Sequence, residues 1–318
     1  MSKGTVSNVF SKKRAVSPEV ARQVKKAAKK LNYRPDHIAQ SLATKKTMTI
    51  GLKIPQYDDY EVSYFETKII NSIVRICSEN GYKLLLDRFV EDEKEFFIRD
   101  PVDGIILLNP RISDVRIEHY QRLKFPFVVI GRPENTSDVY FVDNNNYEIV
   151  REVTEHLISE GHKKILFLNA AKDMTVAEDR KEGYYQAFIN YGLDIDDTMI
   201  VYNDPTKYET ESGYGFENII KHYEEEGFSA VITDTDRVAF GVLRAINKLK
   251  LKSPEDMSII ALSNNYQLSL ETSPQLTSVE LHPEKLGAEA TLTLLGLLND
   301  KLTPREKIVN ANIVIRES

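Results

Sequence analysis

The stretch LNYRPDHIAQSLATKKTMTIGLKIP, residues 31–55, joins two chemically different parts of the chain. Its first half is basic, and its second half, from Thr49, is an apolar run typical of a strand. Residues 1–46 contain twelve Lys or Arg against Glu19 and Asp36, a net charge of +10, so the remaining residues carry −16 of the total −6. A basic arm on an acidic body favours nucleic acid or an anionic membrane as the partner of residues 1–46. On charge alone, a solvated lysine face is the alternative.

Composition predicts a protein of more than one folded unit, without a membrane-spanning helix. A chain of 318 residues with 42% hydrophobic content can bury a sizeable core, and two or three units are expected. No run reaches the roughly 18 apolar residues of a membrane helix, and the first 30 residues lack a secretory signal, which predicts a cytoplasmic location. The single cysteine, Cys77, cannot form an internal disulfide, in agreement with a reducing compartment.

The first 46 residues carry three helix patterns. Val6, Val9 and Phe10 have the spacing of a short helix with one apolar edge. Ser17, Pro18 and Glu19 form a helix start, since the hydroxyl can cap free amides and the acid complements the helix dipole. Residues 35–44, PDHIAQSLAT, predict a two-turn helix that is marginal in water without a partner.

The segment TVSNVF (5–10), followed by VSPEVARQVKKAAKKLNYRPDHIAQSLATKKTMTIGLKIP (16–55), resembles the DNA-binding headpiece and hinge of the lactose-repressor (LacI/GalR) family of bacterial transcription regulators. The resemblance implies a partial helix-turn-helix headpiece over residues 1–34 and a hinge helix with linker over 35–48. It implies that operator DNA is contacted by Ser2, Lys3, Gly4, Thr5, Ser7, Asn8, Tyr33, His37, Ala39 and Leu42. Leu42 is expected to be an apolar wedge pushed between base steps from the minor groove.

The headpiece departs from the family pattern at its start. Relatives begin with one more helix and a turn, without which Val6, Val9 and Phe10 would lack their cover. We therefore expect the true start to lie about 15 codons upstream, which leaves room for that helix and turn. Met1 would then be encoded by an internal GTG codon, at a position where the motif has valine. If the chain does start at Met1, DNA binding is expected to be weak or absent.

Residues 49–318 alternate between strand-like runs and amphipathic helices, which predicts an α/β fold with two parallel sheets. Strands are predicted near 49–55, 82–87, 103–108, 126–130, 139–142, 164–169, 198–202, 229–233, 257–262, 276–280 and 308–315. Helices are predicted at 62–79, 147–160, 179–191, 211–226, 237–249 and 283–299.

Several segments of this body resemble the periplasmic-binding-protein-like core of the same family, among them HLISEGHKKILFLN (156–169), EDRKEGYYQAF (178–188) and AVITDTDRVAFGVLRAI (230–246). The resemblance implies an effector-binding and dimerisation core over residues 49–318, with two lobes joined by three crossovers. Lobe one is expected at about 49–142 and 283–302, and lobe two at about 144–280 and 305–318. The segment 87–106 is shorter than in relatives, so its helix is expected to shrink to a turn or two.

The resemblance also implies which residues contact a small-molecule effector between the lobes: Arg180, Asp236, Thr235, Tyr208, Ser263, Arg132, Tyr57 and Tyr64. The planar fork of Arg180 suits vicinal hydroxyls or a carboxylate. Asp236 has an N-cap of the following helix as its alternative role. Many sugar-responsive relatives have an aspartate where this chain has Ser263 and Asn264, which makes the usual sugar contact less expected and favours a modified or phosphorylated ligand.

Catalytic patterns are weak. The chain has no phosphate-binding G-x-x-x-x-G-K-[ST], no dinucleotide G-x-G-x-x-G and no G-x-S-x-G elbow, and its six histidines lack metal-ligand spacing. No catalytic residue, metal or cofactor is therefore predicted. The predicted function is a homodimeric, sequence-specific DNA-binding regulator, a repressor, that is controlled by a carbohydrate-like effector and has no membrane partner. The alternatives are a ligand-binding protein that has lost DNA binding, and an α/β enzyme.

Overall fold

The computed structural model describes residues 2–11, 15–31, 46–54, 62–88, 102–263 and 265–318. The predicted hinge helix lies outside these ranges, as do the DNA-contact candidates Tyr33, His37, Ala39 and Leu42. Tyr57, Asn264 and most of the shortened segment 87–106 also lie outside them. These predictions stay predictions.

Two helices form the N-terminal part, α1 (Lys3–Ser11) and α2 (Pro18–Lys30). The predicted helix start at Ser17 is confirmed, since Ser17 Oγ accepts from Val20 N at 3.4 Å. Val9 of α1 and Val24 of α2 are buried, and the two helices are in contact. The apolar spacing in the sequence therefore does produce two packed helices.

The first sheet contains six parallel strands: β1 (Thr49–Ile54), β2 (Lys83–Arg88), β3 (Gly104–Leu108), β4 (Phe127–Ile130), β5 (Phe141–Asp143) and β11 (Glu306–Ile308). Their order is β11-β5-β4-β3-β1-β2. One face is covered by α3 (Tyr64–Glu79) and α10 (Pro283–Leu297), and the other by α4 (Val115–Arg122). Because successive strand residues point to opposite faces, both layers are apolar and the strands read as continuous apolar runs. We call this sheet with its three helices the first lobe.

The second sheet has β6 (Ile165–Asn169), β7 (Ile200–Tyr202), β8 (Ala230–Thr233), β9 (Ser258–Ala261), β10 (Thr277–Glu280) and β12 (Asn312–Val314). Their order is β12-β10-β9-β8-β6-β7, and only the β10–β12 pair is antiparallel. One face carries α5 (Asn146–Ser159) and α6 (Thr175–Asn190), and the other carries α7 (Glu211–Glu226) and α8 (Asp236–Leu249). A short helix, α9 (Tyr266–Glu271), follows β9. We call this sheet with its helices the second lobe.

The predicted α/β class with two parallel sheets is confirmed. The last predicted strand, 308–315, was wrong as a single element, because β11 pairs with β5 in the first sheet and β12 pairs with β10 in the second. The boundary drawn for lobe two at 305 therefore differs from the structure, which places Glu306–Ile308 in the first lobe. A run of local β preference cannot show that the chain changes sheets inside it.

The chain crosses between the lobes three times among the described residues. The crossings are between β5 and α5, between β10 and α10, and between β11 and β12. In the described ranges, no helix combines the length and the apolar composition that a bilayer crossing requires.

Candidate functional site

The carboxyl ends of the strands in the two sheets meet across a cleft. The loop after β3 contacts the loop after β6, where Arg111 Nη1 lies 2.6 Å from Asp173 Oδ1. Ile112 N also donates to the Asp173 carbonyl at 2.8 Å. Open parallel sheets bind ligands at this end, because loops and helix N-termini converge there. The geometry therefore places a candidate binding site between the lobes.

Arg180 is a buried cation at this cleft, on α6, with 5% of its surface exposed. Its Nη1 lies 2.5 Å from Asp234 Oδ1, directly after β8, and its Nε donates to Asn146 Oδ1 at 3.4 Å. A buried guanidinium is tolerated only when its charge and its donors have partners. Asp234 and Asn146 thus fix the orientation of the Arg180 fork.

Asp143 continues this network at the end of β5. Its carboxylate accepts from the Arg132 backbone N at 3.0 Å and from Asn146 Nδ2 at 3.2 Å. Burial raises the pKa of Asp143 to about 7, and the hydrogen bonds from the backbone N–H groups of Asn144 and Arg132 oppose that rise. Asp143 therefore gains or loses its proton near neutral pH.

Arg132 links the two lobes by its side chain. It follows β4 of the first lobe and forms a two-point ion pair with Asp179 of α6, in which Nε lies 2.9 Å from Oδ2 and Nη2 contacts Oδ1. Paired contacts of this kind are directional, so they fix the angle between the groups as well as their distance. Together with Arg111–Asp173, this pair connects the two lobes across the cleft.

Thr235, Asp236 and Ser263 lie together at the second-lobe end of the cleft. Thr235 is the N-cap of α8, with Oγ1 accepting from Val238 N at 3.2 Å, so the capping role considered for Asp236 belongs to its neighbour. The buried Asp236 accepts from Asn265 N at 2.7 Å, and its own N donates to Ser263 Oγ at 3.2 Å. Burial raises the pKa of Asp236, while hydrogen bonds from the backbone N–H groups of Asn265 and Arg237 lower it.

Glu211 adds a carboxylate that was not among the predicted site residues. It begins α7, and its Oε2 accepts from Thr235 Oγ1 at 3.1 Å. Burial, followed by repulsion from Asp234, raises the pKa of Glu211 to about 7. In the sequence, Glu211 reads only as an acid in the first turn of a helix.

The two described tyrosine candidates have different settings. Tyr208 is buried in the second-lobe core, its ring centroid 5.0 Å from that of Tyr214, and its hydroxyl accepts from Asn218 Nδ2 at 3.1 Å. Tyr64 is exposed at the start of α3, with Lys68 Nζ 5.3 Å from its ring centroid. Core packing accounts for Tyr208, and contact with an effector stays a prediction for both residues.

The predicted groove-facing residues lie on or just before α1. Ser2 Oγ accepts from Thr5 N at 3.1 Å, which caps the helix, and Gly4 is exposed while Asn8 is half-buried. The backbone of Lys3 and Ser7 belongs to α1. Contact of these residues with DNA stays a prediction.

Sequence reasoning missed five polar residues that the structure brings to the cleft: Asp143, Asn146, Asp179, Glu211 and Asp234. Asp143 and Asp234 end or directly follow buried strands, which is the available signal, since such positions face the ligand edge of a parallel sheet. Which helix residue lies opposite them depends on how two lobes pack and has no local signature.

Comparison with known proteins agrees with this architecture. Residues 154–318 match the family model of the periplasmic binding protein-like domain. The chain is 31% identical over 311 residues to the HTH-type transcriptional regulator MalR of Streptococcus pneumoniae serotype 4, with 94% of this chain and 90% of that protein covered.

Two solved structures share the fold. The Lac repressor dimer bound to operator and an anti-inducer matches with a TM-score of 0.82 at 21% identity, over 100% of this chain and 95% of that one. A transcriptional regulator CelR–cellobiose complex matches with a TM-score of 0.75 at 24% identity, over 100% of this chain and 96% of that one. The identity to MalR, the domain match and the motifs in residues 5–55 and 156–246 give one conclusion: the chain belongs to the lactose-repressor (LacI/GalR) family of bacterial transcription regulators.

Proposed function

We propose that this chain is a transcription repressor that binds operator DNA through residues 1–46, and that its affinity for the operator changes when a small carbohydrate occupies the cleft. The observation that carries the proposal is the buried Arg180, held by Asp234 and Asn146 at the carboxyl ends of the second-lobe strands. A fixed, planar set of donors at a cleft between two lobes suits recognition of neighbouring hydroxyls.

The charges of the cleft favour an uncharged effector over a phosphorylated one. Each of Arg111, Arg132 and Arg180 is already bound by a carboxylate. Asp143 and Asp236 add two further buried carboxyl groups. A phosphoryl group would have to displace a carboxylate and approach others, whereas sugar hydroxyls can donate to these oxygens. This reverses the preference for a phosphorylated sugar that Ser263 and Asn264 gave on sequence alone.

The N-terminal part supports the DNA side of the proposal. In α2, Arg22, Lys25, Lys26 and Lys30 are exposed while Val24 is buried against α1. A cationic surface on a small helical unit is the footprint of phosphate contacts. Base reading by Ser2, Lys3, Gly4, Thr5, Ser7 and Asn8, and wedging by Leu42, belong to this proposal.

A homodimer also belongs to the proposal. On the second lobe, Phe240, Leu243 and Leu268 line an open groove beside Phe216. Phe240 is 42% exposed, and it lies in one apolar groove with Leu243 and Leu268, which is typical of an interaction surface. A second copy is its proposed partner, and the dimer would act in the cytoplasm as a binding protein without catalysis.

Selection of DNA from a random duplex pool tests the function. The protein should retain related sequences with an affinity that falls steeply with salt. Cellobiose should change that affinity, cellobiose phosphate should not, and Leu42→Ala should weaken DNA binding without changing sugar binding. Sugar binding with no selected DNA would favour the ligand-binding alternative, and turnover of the sugar would favour the enzyme.

A further inference from the structure

The segment Lys46–Met48, which leads from the linker into β1, is held by side chains of the first lobe. Asp103 accepts three hydrogen bonds from it: from Thr47 N at 2.6 Å, Thr47 Oγ1 at 2.9 Å and Met48 N at 2.9 Å. Met48 has a φ of 54°, a backbone conformation that is costly for a non-glycine residue and needs support from its surroundings. Asp103 supplies that support.

Lys46 ties the same segment to the end of α10. Its Nζ donates to the Leu298 carbonyl at 3.2 Å and to Asn299 Oδ1 at 3.3 Å. Leu298 is the C-cap of α10, where unpaired carbonyls and the helix dipole attract a cation. The contact therefore joins residue 46 to a helix end more than 250 positions later in the chain.

At its other end, α10 begins at the second crossing between the lobes. Leu281, just before it, packs in the second-lobe core, and its carbonyl accepts from Asn144 Nδ2 of the first crossing at 3.1 Å. Leu286 and Leu294 of α10 pack in the first-lobe core. The helix α10, about 22 Å long, thus spans the distance between the crossings of the two lobes and the linker.

α10 is packed tightly enough to move with the first lobe as one body. A Cβ at Gly287 would lie 2.3 Å from Ser72 Oγ of α3, and one at Gly104 of β3 would lie 2.8 Å from Leu294 Cδ1. Close contacts on both its α3 side and its sheet side leave α10 no room to slide. Each degree by which the helix turns about its start moves its far end by about 0.4 Å, given that length.

We propose that Lys46, Thr47 and Asp103 form a latch that fixes the end of the linker to the first lobe, so that rotation of this lobe is passed to the headpiece. This inference rests on the proposed function. Lys46 Nζ is held by the Leu298 carbonyl and Asn299 Oδ1, and Asp103 by Thr47 and Met48, so loss of the latch should reduce the coupling between the two sites far more than it weakens either binding step.

The latch variant is Lys46→Met with Asp103→Asn, which keeps both side-chain sizes. The matched control is Asp300→Asn with Lys301→Met, the same charge changes on exposed residues beside the same helix end. The first measurement is amide hydrogen exchange in the free protein. Thr47 and Met48 should exchange slowly in the wild type and the control, and at least tenfold faster in the latch variant.

The second measurement uses the DNA fragment selected by the protein and follows the Ile112 amide, which donates across the lobes to the Asp173 carbonyl. DNA should change Ile112 exchange several-fold in the wild type and the control, and leave it unchanged in the latch variant while that variant still binds. Unprotected Thr47 and Met48 amides, or a latch variant that responds like the wild type, would overturn the latch. Failure to select any DNA would overturn the proposed function, and with it the proposed transfer of lobe rotation to the headpiece. Slow exchange of the Thr47 and Met48 amides would still show that the latch fixes the linker to the first lobe.

Discussion

Asn144 Nδ2 donates to the Val309 carbonyl at 2.7 Å, and the same nitrogen donates to the Leu281 carbonyl. Asn144 lies in the first crossing between the lobes, Leu281 in the second and Val309 in the third. A buried amide nitrogen thus joins all three connections, and the Val309 N–H returns a bond to the Asp143 carbonyl at 2.8 Å. The three crossings between the lobes are therefore joined in one hydrogen-bonded unit.

Asn144→Ala should destabilise the protein by about 1–3 kcal/mol, because it removes the donor from two buried carbonyls and leaves them unpaired. Urea unfolding measures this loss. Asn190→Ala is the control, since Asn190 donates to Glu155 at the surface and water can replace that bond. Equal losses for the two variants would show that the crossings do not depend on Asn144.

Arg180→Lys should lower sugar affinity by at least about tenfold, or about 1.4 kcal/mol, although the charge is conserved. Lysine cannot hold Asp234 and Asn146 at once and present a planar fork to the cleft. Calorimetry with a neutral sugar that binds the wild type measures the change. Arg75→Lys is the control, because Arg75 pairs with Glu79 on the exposed face of α3. Unchanged sugar affinity in Arg180→Lys would show that Arg180 does not contact the sugar.

Asp143 predicts a pH dependence of stability. Its pKa is about 7 in the folded protein and about 3.9 in an unfolded chain. Between these values the folded protein keeps a proton that the unfolded chain releases, so raising the pH lowers stability by up to about 1.4 kcal/mol per pH unit.

Asp143→Asn should remove this contribution, since an amide has no proton to lose. Relative to the wild type, the variant should become more stable at pH 8 than at pH 5 in urea unfolding. Glu211 titrates in the same range, so the informative quantity is the difference between variant and wild type at each pH. Exposed Asp300→Asn provides the comparison. A constant difference across the range would mean that Asp143 is not titrating near neutrality.

The sequence predicted the helices and strands better than the contacts between them. The helix 211–226 and nearly all strands agree closely with the structure, because strong local periodicity determines them. The short helices α4 and α9 went unpredicted, since six to eight residues carry little periodic signal. Glu211 and Asp179 were missed as site residues for another reason: their roles depend on Thr235 and Arg132, each more than 20 positions away. Distances along the chain do not reveal such pairs.

Phe240→Lys should prevent self-association if the groove with Leu243 and Leu268 binds a second copy. A lysine there would place a charge on an apolar surface that has to lose its water on contact, and burying an unpaired charge is costly. Sedimentation of the wild type should give a dimer, and the variant a monomer that keeps the wild-type circular dichroism spectrum. Ile189→Lys is the control, since Ile189 is 58% exposed on α6 and lies outside this groove. A dimeric Phe240→Lys variant would move the interface elsewhere. If two headpieces of a dimer read the operator together, the monomer should also bind the selected DNA more weakly while its sugar affinity is unchanged.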